Sequence, residues 1–241
     1  MMRKRCTILV MMKAELIPAY VLHTRPYRNT SLLVELFTKT HGRVAVVAHS
    51  ARGPRSRYRG QLQLFTPMLV GFMGRYELKT LTAVELNGMP LQLNQNPLFC
   101  GFYLNELLVR LLLHEDPYPD LFDLYHRTLC LLENNALIPV TLRLFEKKLL
   151  DALGYGLSLN TVTQSNFPIG DDHYYLFDPD QGFCVAEKND ANQSIFLGAD
   201  LLAIAEDRLQ TEAVLQSAKR LMRLALAAIL GEKPLNSRLL F

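Results

Sequence analysis

A cluster of arginines at residues 49–60 is the segment whose residue types and spacing point most directly to chemistry. The stretch HSARGPRSRYRG contains Arg52, Arg55, Arg57 and Arg59, together with one aromatic residue, Tyr58, and no carboxylate. Guanidinium groups this close repel one another, so the segment is stabilised when a polyanion lies across it. The pattern predicts phosphate binding, and a solvated loop that binds nothing is the alternative.

Catalytic motifs are absent from the sequence. It contains no G-x-x-x-x-G-K-[ST], G-x-G-x-x-G, H-E-x-x-H or G-x-S-x-G segment, which leaves ATP, dinucleotide, zinc-protease and hydrolase chemistry without a recognisable site. The run from Asp171 to His173 is interpreted as a polar turn rather than a set of metal ligands. Only Glu35 and Glu77 fall inside strands of the basic part, so a nuclease is the weakest function hypothesis. We predict that the protein is not an enzyme.

The charge is distributed unevenly along the chain, although the net charge is only +3. Residues 1–79 carry 14 Lys and Arg against 3 Glu, whereas residues 80–241 carry 12 Lys and Arg against 20 Asp and Glu. This asymmetry predicts a basic module for a polyanion, joined to an acidic body with another role.

Short β-rich runs separated by turn residues occupy residues 15–88. The five predicted strands contain AYVLHT, SLLVELFT, RVAVVAHS, FTPMLVGF and LKTLTAVEL. Five short strands in so compact a unit favour an OB-fold β-barrel that binds nucleic acid. The second and third strands are joined by KTHG, in which Gly42 can take the positive φ of a tight hairpin. Residues 1–14 are expected to form an N-terminal extension.

The apolar period becomes helical from Asn96 onward. Three predicted helices have Pro97, Pro119 and Pro139 near their starts, where proline is tolerated. A small irregular insertion at about residues 155–198 follows, and two further helices complete a helical domain over residues 89–241. The predicted fold class is therefore α+β, with an N-terminal five-stranded OB-fold barrel followed by an α-helical domain that carries the insertion.

Cysteine usage and hydropathy bear on the cellular compartment. The four cysteines form no C-x-x-C pair, as expected of reduced thiols in the cytoplasm. The longest apolar runs fall well short of the ~18 residues that a membrane-spanning helix needs. We expect a cytoplasmic protein that does not cross a membrane.

An ordered set of segments resembles the bacterial recombination mediator family RecO along nearly the whole chain. The segments are LHTRPYRNTSLLVELFTKTHGRVAVVAHSARGPRSRYRGQLQLFTP, then YLNELLVRLL, LRLFEKKLLDALGYGLSL and KPLNSRLLF. The resemblance implies binding of single-stranded and double-stranded DNA, annealing of complementary strands, and help in loading RecA onto DNA coated with single-stranded-DNA-binding protein. It also implies RecR as a partner and a nucleoid-associated location. An RNA-binding OB-fold protein of translation or ribosome assembly remains the alternative.

Many members of the family have a cysteine-ligated zinc module in the region of the insertion. This sequence has only Cys184 there, and one cysteine cannot complete a tetrahedral zinc site. We therefore predict no metal and no cofactor, and an insertion held by packing around four aromatic residues: Tyr174, Tyr175, Phe177 and Phe183.

The predicted DNA-binding residues combine cations for phosphates with one aromatic residue for bases. They are Arg25, Arg28, Arg43, Arg52, Arg55, Arg57, Tyr58, Arg59, Arg75 and Lys79. Tyr58, Tyr27 or Tyr76 would stack on bases, while the cations neutralise the backbone and leave base edges free to pair. Tyr27 and Tyr76 are equally well interpreted as packed edge residues.

A second candidate site lies on the segment LRLFEKKLL. Arg143 and Lys147, four residues apart on a helix, share one face beside Leu144 and Phe145. The resemblance implies that this face binds the acidic, hydrophobic-tipped tail of single-stranded-DNA-binding protein. The alternative is that these cations pair internally, with Glu146 and Asp151 nearby.

Overall fold

Five N-terminal strands close into a barrel in the computed structural model, which describes residues 15–163, 165–189 and 191–240. The strands are β1 (Ile17–Tyr27), β2 (Ser31–Thr38), β3 (Gly42–Ala48), β4 (Met68–Met73) and β5 (Leu78–Leu86). Their order around the barrel is β1-β2-β3-β5-β4, with β3 and β5 parallel and the other neighbours antiparallel. The prediction of an OB-type barrel is confirmed, while the proposed extension over residues 1–14 lies outside the described residues.

Alternating small apolar side chains fill the barrel. Val44, Val46 and Ala48 of β3 point into an interior that also contains Val34 and Leu36 of β2. The segment between β3 and β4 contributes to the barrel wall, because Leu64 forms a parallel bridge to Val21 of β1 and packs against this core. The arginine-rich stretch is therefore part of a segment that also completes the barrel.

Gly42 is required at the hairpin between β2 and β3 for two reasons. Its φ is 62°, in the left-handed region that favours glycine. A Cβ atom there would also lie 1.7 Å from the carbonyl oxygen of Asp116, in the loop after the first helix. The sequence predicted the first requirement, and the second arises from packing between the barrel and the helical domain.

After the barrel, the described chain contains five α-helices and a short 3₁₀ helix. They are α1 (Asn96–Leu111), α2 (Pro119–Glu133), α3 (Ile138–Ala152), α4 (Gly198–Ala205) and α5 (Glu212–Leu230), with the 3₁₀ helix at Asn236–Leu240. Proline occupies the first turn of α1, α2 and α3, as the sequence predicts. Within the described residues, no helix has the length and apolar character needed to cross a bilayer.

The insertion contains a three-stranded antiparallel sheet. Its strands are β6 (Tyr174–Asp178), β7 (Gly182–Ala186) and β8 (Ile195–Leu197), in the order β7-β6-β8. The sequence indicated β6 and β7 but missed β8, which is only three residues long. Tyr175, Phe177 and Phe183 are buried and Tyr174 is half-buried, so the predicted aromatic packing is present.

The outer face of the barrel packs directly against α1 and α2. Tyr20 of β1 and Phe37 of β2 contact the rings of Phe122 and Tyr125 in α2, with ring centroids 5.2–5.9 Å apart. All four side chains belong to the large helical core. Burial of aromatic rings on both sides joins the barrel and the helices through one continuous apolar interface.

Candidate nucleic-acid interface

The arginine-rich loop is tied to the turn between β1 and β2. The backbone N–H of Arg52 donates to the carbonyl oxygen of Thr30 at 2.8 Å, and its guanidinium donates to the carbonyl oxygen of Asn29 at 3.0 Å. Arg28 lies in this same turn. The two loops thus form one edge of the barrel. The carbonyls of Asn29 and Thr30 that join them carried no signal in the sequence.

Six arginines on this edge are exposed, of which Arg57 donates to the hydroxyl of Tyr58. We call the other five the arginine rim: Arg25, Arg28, Arg52, Arg55 and Arg59. No salt bridge of these five occurs within the described residues. Their guanidinium groups are therefore available to neutralise the phosphates of a strand that crosses the edge.

Tyr58 is in the barrel core and is not available for base stacking. Its side chain is only 4% exposed, and its hydroxyl donates to the carbonyl oxygen of Leu81 at 2.9 Å. The guanidinium of Arg57 lies over the Tyr58 ring, 4.7 Å from its centroid, and also donates to its hydroxyl. The assignment of Tyr58 as a stacking residue is therefore corrected, because β5 and Arg57 cover the ring.

The register of the barrel separates the predicted basic residues into two groups. Ala45 of β3 pairs in parallel with Leu78 of β5, so the β4–β5 hairpin lies at the same end as the β2–β3 turn. A ring contact of 5.5 Å between His41 and Phe72 supports this placement. Arg75 of the β4–β5 hairpin therefore lies at the opposite end of the barrel from the arginine-rich loop.

Two members of this second group already have partners in the protein. Arg43 donates to the carbonyl oxygen of Val109 in α1, and its Nε lies 4.0 Å from Glu35. Lys79 forms a 2.6 Å ion pair with Glu115, and its side chain is only 11% exposed. The assignment of Arg43 and Lys79 to phosphate binding is corrected, since both side chains join the barrel to the helical domain.

The two remaining tyrosine candidates differ in accessibility. Tyr76, at the tip of the β4–β5 hairpin beside exposed Arg75, is 84% exposed. Tyr27 is half-buried, and the guanidinium of Arg28 lies 5.3 Å from its ring centroid. Tyr27 is therefore the aromatic residue at the arginine rim, whereas Tyr76 lies at the other end of the barrel.

Arg143 does not present a free cation on α3. Its guanidinium pairs with Glu146 at 2.7 Å, with the two side chains 13% and 1% exposed. Tyr103 also donates to the Glu146 carboxylate, at 2.5 Å. The assignment of Arg143 to binding of an acidic tail is corrected, because its charge compensates a buried carboxylate.

Lys147 is engaged at the end of α4. Its ammonium group donates to the carbonyl oxygens of Ile204 and Ala205 at 2.8 and 2.7 Å, and pairs with Asp207 at 2.6 Å. A cation is favourable there because the last carbonyls of a helix lack intrahelical donors. Lys147 therefore stabilises the packing of α4 on α3, and its assignment to the acidic tail is corrected as well.

Three residues of the large helical core, Tyr20, Tyr125 and Cys100, have raised pKa values. Burial raises the pKa of Tyr125 well above its ordinary value and also raises the pKa of Tyr20, whose hydroxyl contacts Nδ1 of His126 at 2.6 Å. Burial raises the pKa of the Cys100 thiol to about 11. These groups remain protonated at neutral pH and stabilise packing. Among the described residues, His, Cys, Asp and Glu side chains form no cluster of three suited to a metal ion.

Comparison with known proteins identifies relatives along nearly the whole chain. The family model described as recombination protein O N terminal matches residues 12–89, and the model described as recombination protein O C terminal matches residues 96–239. A DNA repair protein RecO of Coxiella burnetii is 51% identical over 221 residues, covering 92% of this chain and 95% of the relative. The protein of that name in Haemophilus influenzae is 44% identical over 230 residues, covering 95% and 97%.

Proposed function

The chain belongs to the RecO family, and we propose on this basis that it is a non-catalytic DNA repair and recombination mediator. Its proposed activities are binding of single-stranded DNA, annealing of complementary strands, and help in loading RecA onto DNA coated with single-stranded-DNA-binding protein. The relatives' name, DNA repair protein RecO, supports the role in DNA repair. Nothing in the family match supports the RNA-binding alternative.

The arginine rim is the observation that carries this proposal. Five exposed arginines lie at one end of an OB-type barrel, four of them on loops and Arg25 near the end of β1. Contacts of this kind neutralise phosphates and read no base edges, so the bases of a bound strand stay free to pair. A protein that promotes annealing needs this combination, because base-specific contacts would compete with the complementary strand.

The proposed direct partners are single-stranded and double-stranded DNA, single-stranded-DNA-binding protein and RecR, and RecA is an indirect partner. The proposed location is the cytoplasm, at the nucleoid. Contact with the acidic tail of single-stranded-DNA-binding protein stays part of the proposal, but not at Arg143 and Lys147. Both cations have internal partners. A tail that bound them would first have to displace a buried carboxylate or the end of α4.

A strand-annealing assay tests the proposed function. Two complementary labelled strands, either naked or coated with single-stranded-DNA-binding protein, are mixed with the purified protein and duplex formation is followed over time. We expect faster annealing in both cases, and binding to DNA at least as tight as to RNA of equal length. No acceleration of annealing, or a clear preference for RNA, would contradict the proposal.

A further inference from the structure

A basic stripe on α5 stands out within the acidic half of the chain. Arg223 lies three residues after Arg220 and four after Lys219, which places the three cations on one side of the helix. The rest of residues 80–241 carries 20 carboxylates against 9 other Lys and Arg. Neither the arginine rim nor the interface between barrel and helices uses these three cations.

Arg220 is held in a fixed position by the insertion. Its guanidinium lies 4.7 Å from the ring centroid of Phe196 in β8 and reaches the carbonyl oxygens of Gln193 and Ile195 at 3.4 Å. These hydrogen bonds are at the long limit for a guanidinium, so its donors are not saturated. The stacking fixes the charge without neutralising it.

A polar cavity of about 180 Å³ opens beside Arg220. Tyr174 of β6 and Asn189, which follows β7, line it together with Asp200 of α4. The Asp200 carboxylate already accepts a 2.5 Å hydrogen bond from the hydroxyl of Ser217. Phenol and amide groups thus lie next to a fixed cation, which suits the sugar and base edges of a nucleotide whose phosphate contacts the guanidinium.

Lys219 and Arg223 extend this site along the helix. Both side chains are exposed, and neither takes part in a salt bridge within the part of the chain that the structure describes. Four residues of helix span ~6 Å, close to the separation of neighbouring phosphates along a single strand. The stripe therefore matches consecutive phosphates of an extended backbone in both charge and spacing.

We propose that the stripe of Lys219, Arg220 and Arg223 is a second nucleic-acid site, which holds the backbone of a second strand. This inference rests on the proposed annealing function, because annealing requires one protein complex to hold two polyanions that repel each other. The arginine rim is on the barrel, whereas the stripe is on the helical domain, so each strand has a separate basic surface. Outside the stripe, the net negative charge of the helical domain repels DNA, so the second strand is captured only transiently.

A two-strand capture assay tests this site with Lys219→Gln combined with Arg223→Gln. The protein is saturated with an immobilised single strand, and retention of a second, labelled strand is measured at several salt concentrations. We expect unchanged affinity for the first strand and about tenfold weaker retention of the second, because two phosphate contacts are lost. The annealing rate should fall in parallel.

Lys148→Gln combined with Arg208→Gln is the matched control. It removes the same charge from the helical domain at two exposed side chains that pair with Asp151 and Glu206. Equal retention of the second strand by both double variants, or no retention by the wild type, would overturn the proposal. The proposal would also be overturned if the variant with Lys219→Gln and Arg223→Gln lost binding of a Glu-rich peptide but still retained the second strand. Failure of the wild type to bind the first strand would instead contradict the function proposed above.

Discussion

Asn105 of α1 donates a hydrogen bond of 3.0 Å to the carbonyl oxygen of Leu22 in β1, across the boundary between the helices and the barrel. The register of β1 against β2 shifts between Val21 and His23, so a bulge releases the Leu22 carbonyl for this contact. Tyr125 of α2 donates in turn to Oδ1 of Asn105 at 2.5 Å. A buried side-chain amide thus links the barrel to two helices.

Replacement of Asn105 should therefore loosen the domain boundary. In Asn105→Ala the Leu22 carbonyl and the Tyr125 hydroxyl lose their partner in a buried environment, and we expect the free energy of unfolding to fall by about 2–4 kcal/mol. Chemical denaturation followed by circular dichroism measures this change. Asn94→Ala, at an exposed amide in the preceding loop, is the control. A loss below about 0.5 kcal/mol in Asn105→Ala would contradict the proposed linking role.

The arginine rim predicts a specific change in salt dependence. Arg55→Gln combined with Arg59→Gln should weaken single-stranded DNA binding and lower the slope of log affinity against log salt by about 1.4, or ~0.7 per lost phosphate contact. Thermal stability should not change, because both side chains are exposed. Fluorescence anisotropy at four salt concentrations gives the slope. An unchanged slope would mean that the loop is only solvated, and Lys148→Gln with Arg208→Gln is again the control.

Tyr58 should affect stability and not DNA binding. Tyr58→Leu removes the ring and hydroxyl from the barrel core, and we expect a loss of on the order of 2–3 kcal/mol in the free energy of unfolding. Affinity for single-stranded DNA, measured well below the melting temperature, should stay within about twofold. If the variant melts like the wild type but binds DNA tenfold more weakly, the ring stacks on bases and its structural assignment is wrong.

The pair formed by Arg143 and Glu146 predicts destabilisation when one partner is removed. Arg143→Gln leaves a carboxylate that is only 1% exposed without its 2.7 Å guanidinium contact, and we expect a loss on the order of 3 kcal/mol. The measurement is thermal melting of Arg143→Gln beside Lys148→Gln, which affects only an exposed pair. Normal melting of Arg143→Gln, together with lost binding of an acidic tail peptide, would restore the partner-binding assignment.

Glu106 predicts a dependence of stability on pH. Partial burial raises the pKa of its carboxyl, but hydrogen bonds from Ser237 and from the backbone of Asn236, with the nearby charge of Arg110, outweigh burial and lower the pKa below 4.5. Because the folded pKa is depressed, the stabilisation is present above the unfolded pKa and disappears as the pH falls through the folded pKa. The difference in unfolding free energy between wild type and Glu106→Gln should narrow as the pH drops below about 4.5. A difference that stays constant down to pH 3.5 would refute this assignment.

The sequence by itself determined the order and type of most elements. Alternating apolar residues around Val44 and Val46, the glycine of the KTHG turn and the proline at the start of α1 act over a few neighbouring residues, so the pattern predicts the strands, the hairpin and the helix start. The strand β8 was missed because three residues are too few to show a period.

Only the tertiary structure decided which cations are free. Arg43, Lys79 and Lys147 look equivalent to Arg55 and Arg59 in the sequence, since charge and local spacing are the only visible signals. Their partners are distant along the chain: the Val109 carbonyl, the Glu115 carboxylate and the end of α4. Tyr58 is buried for the same reason, because its hydroxyl partner, Leu81, is on a strand that the chain reaches only after β4. Whether a polar side chain binds a ligand or its own fold depends on non-local contacts, which the order of residues does not specify.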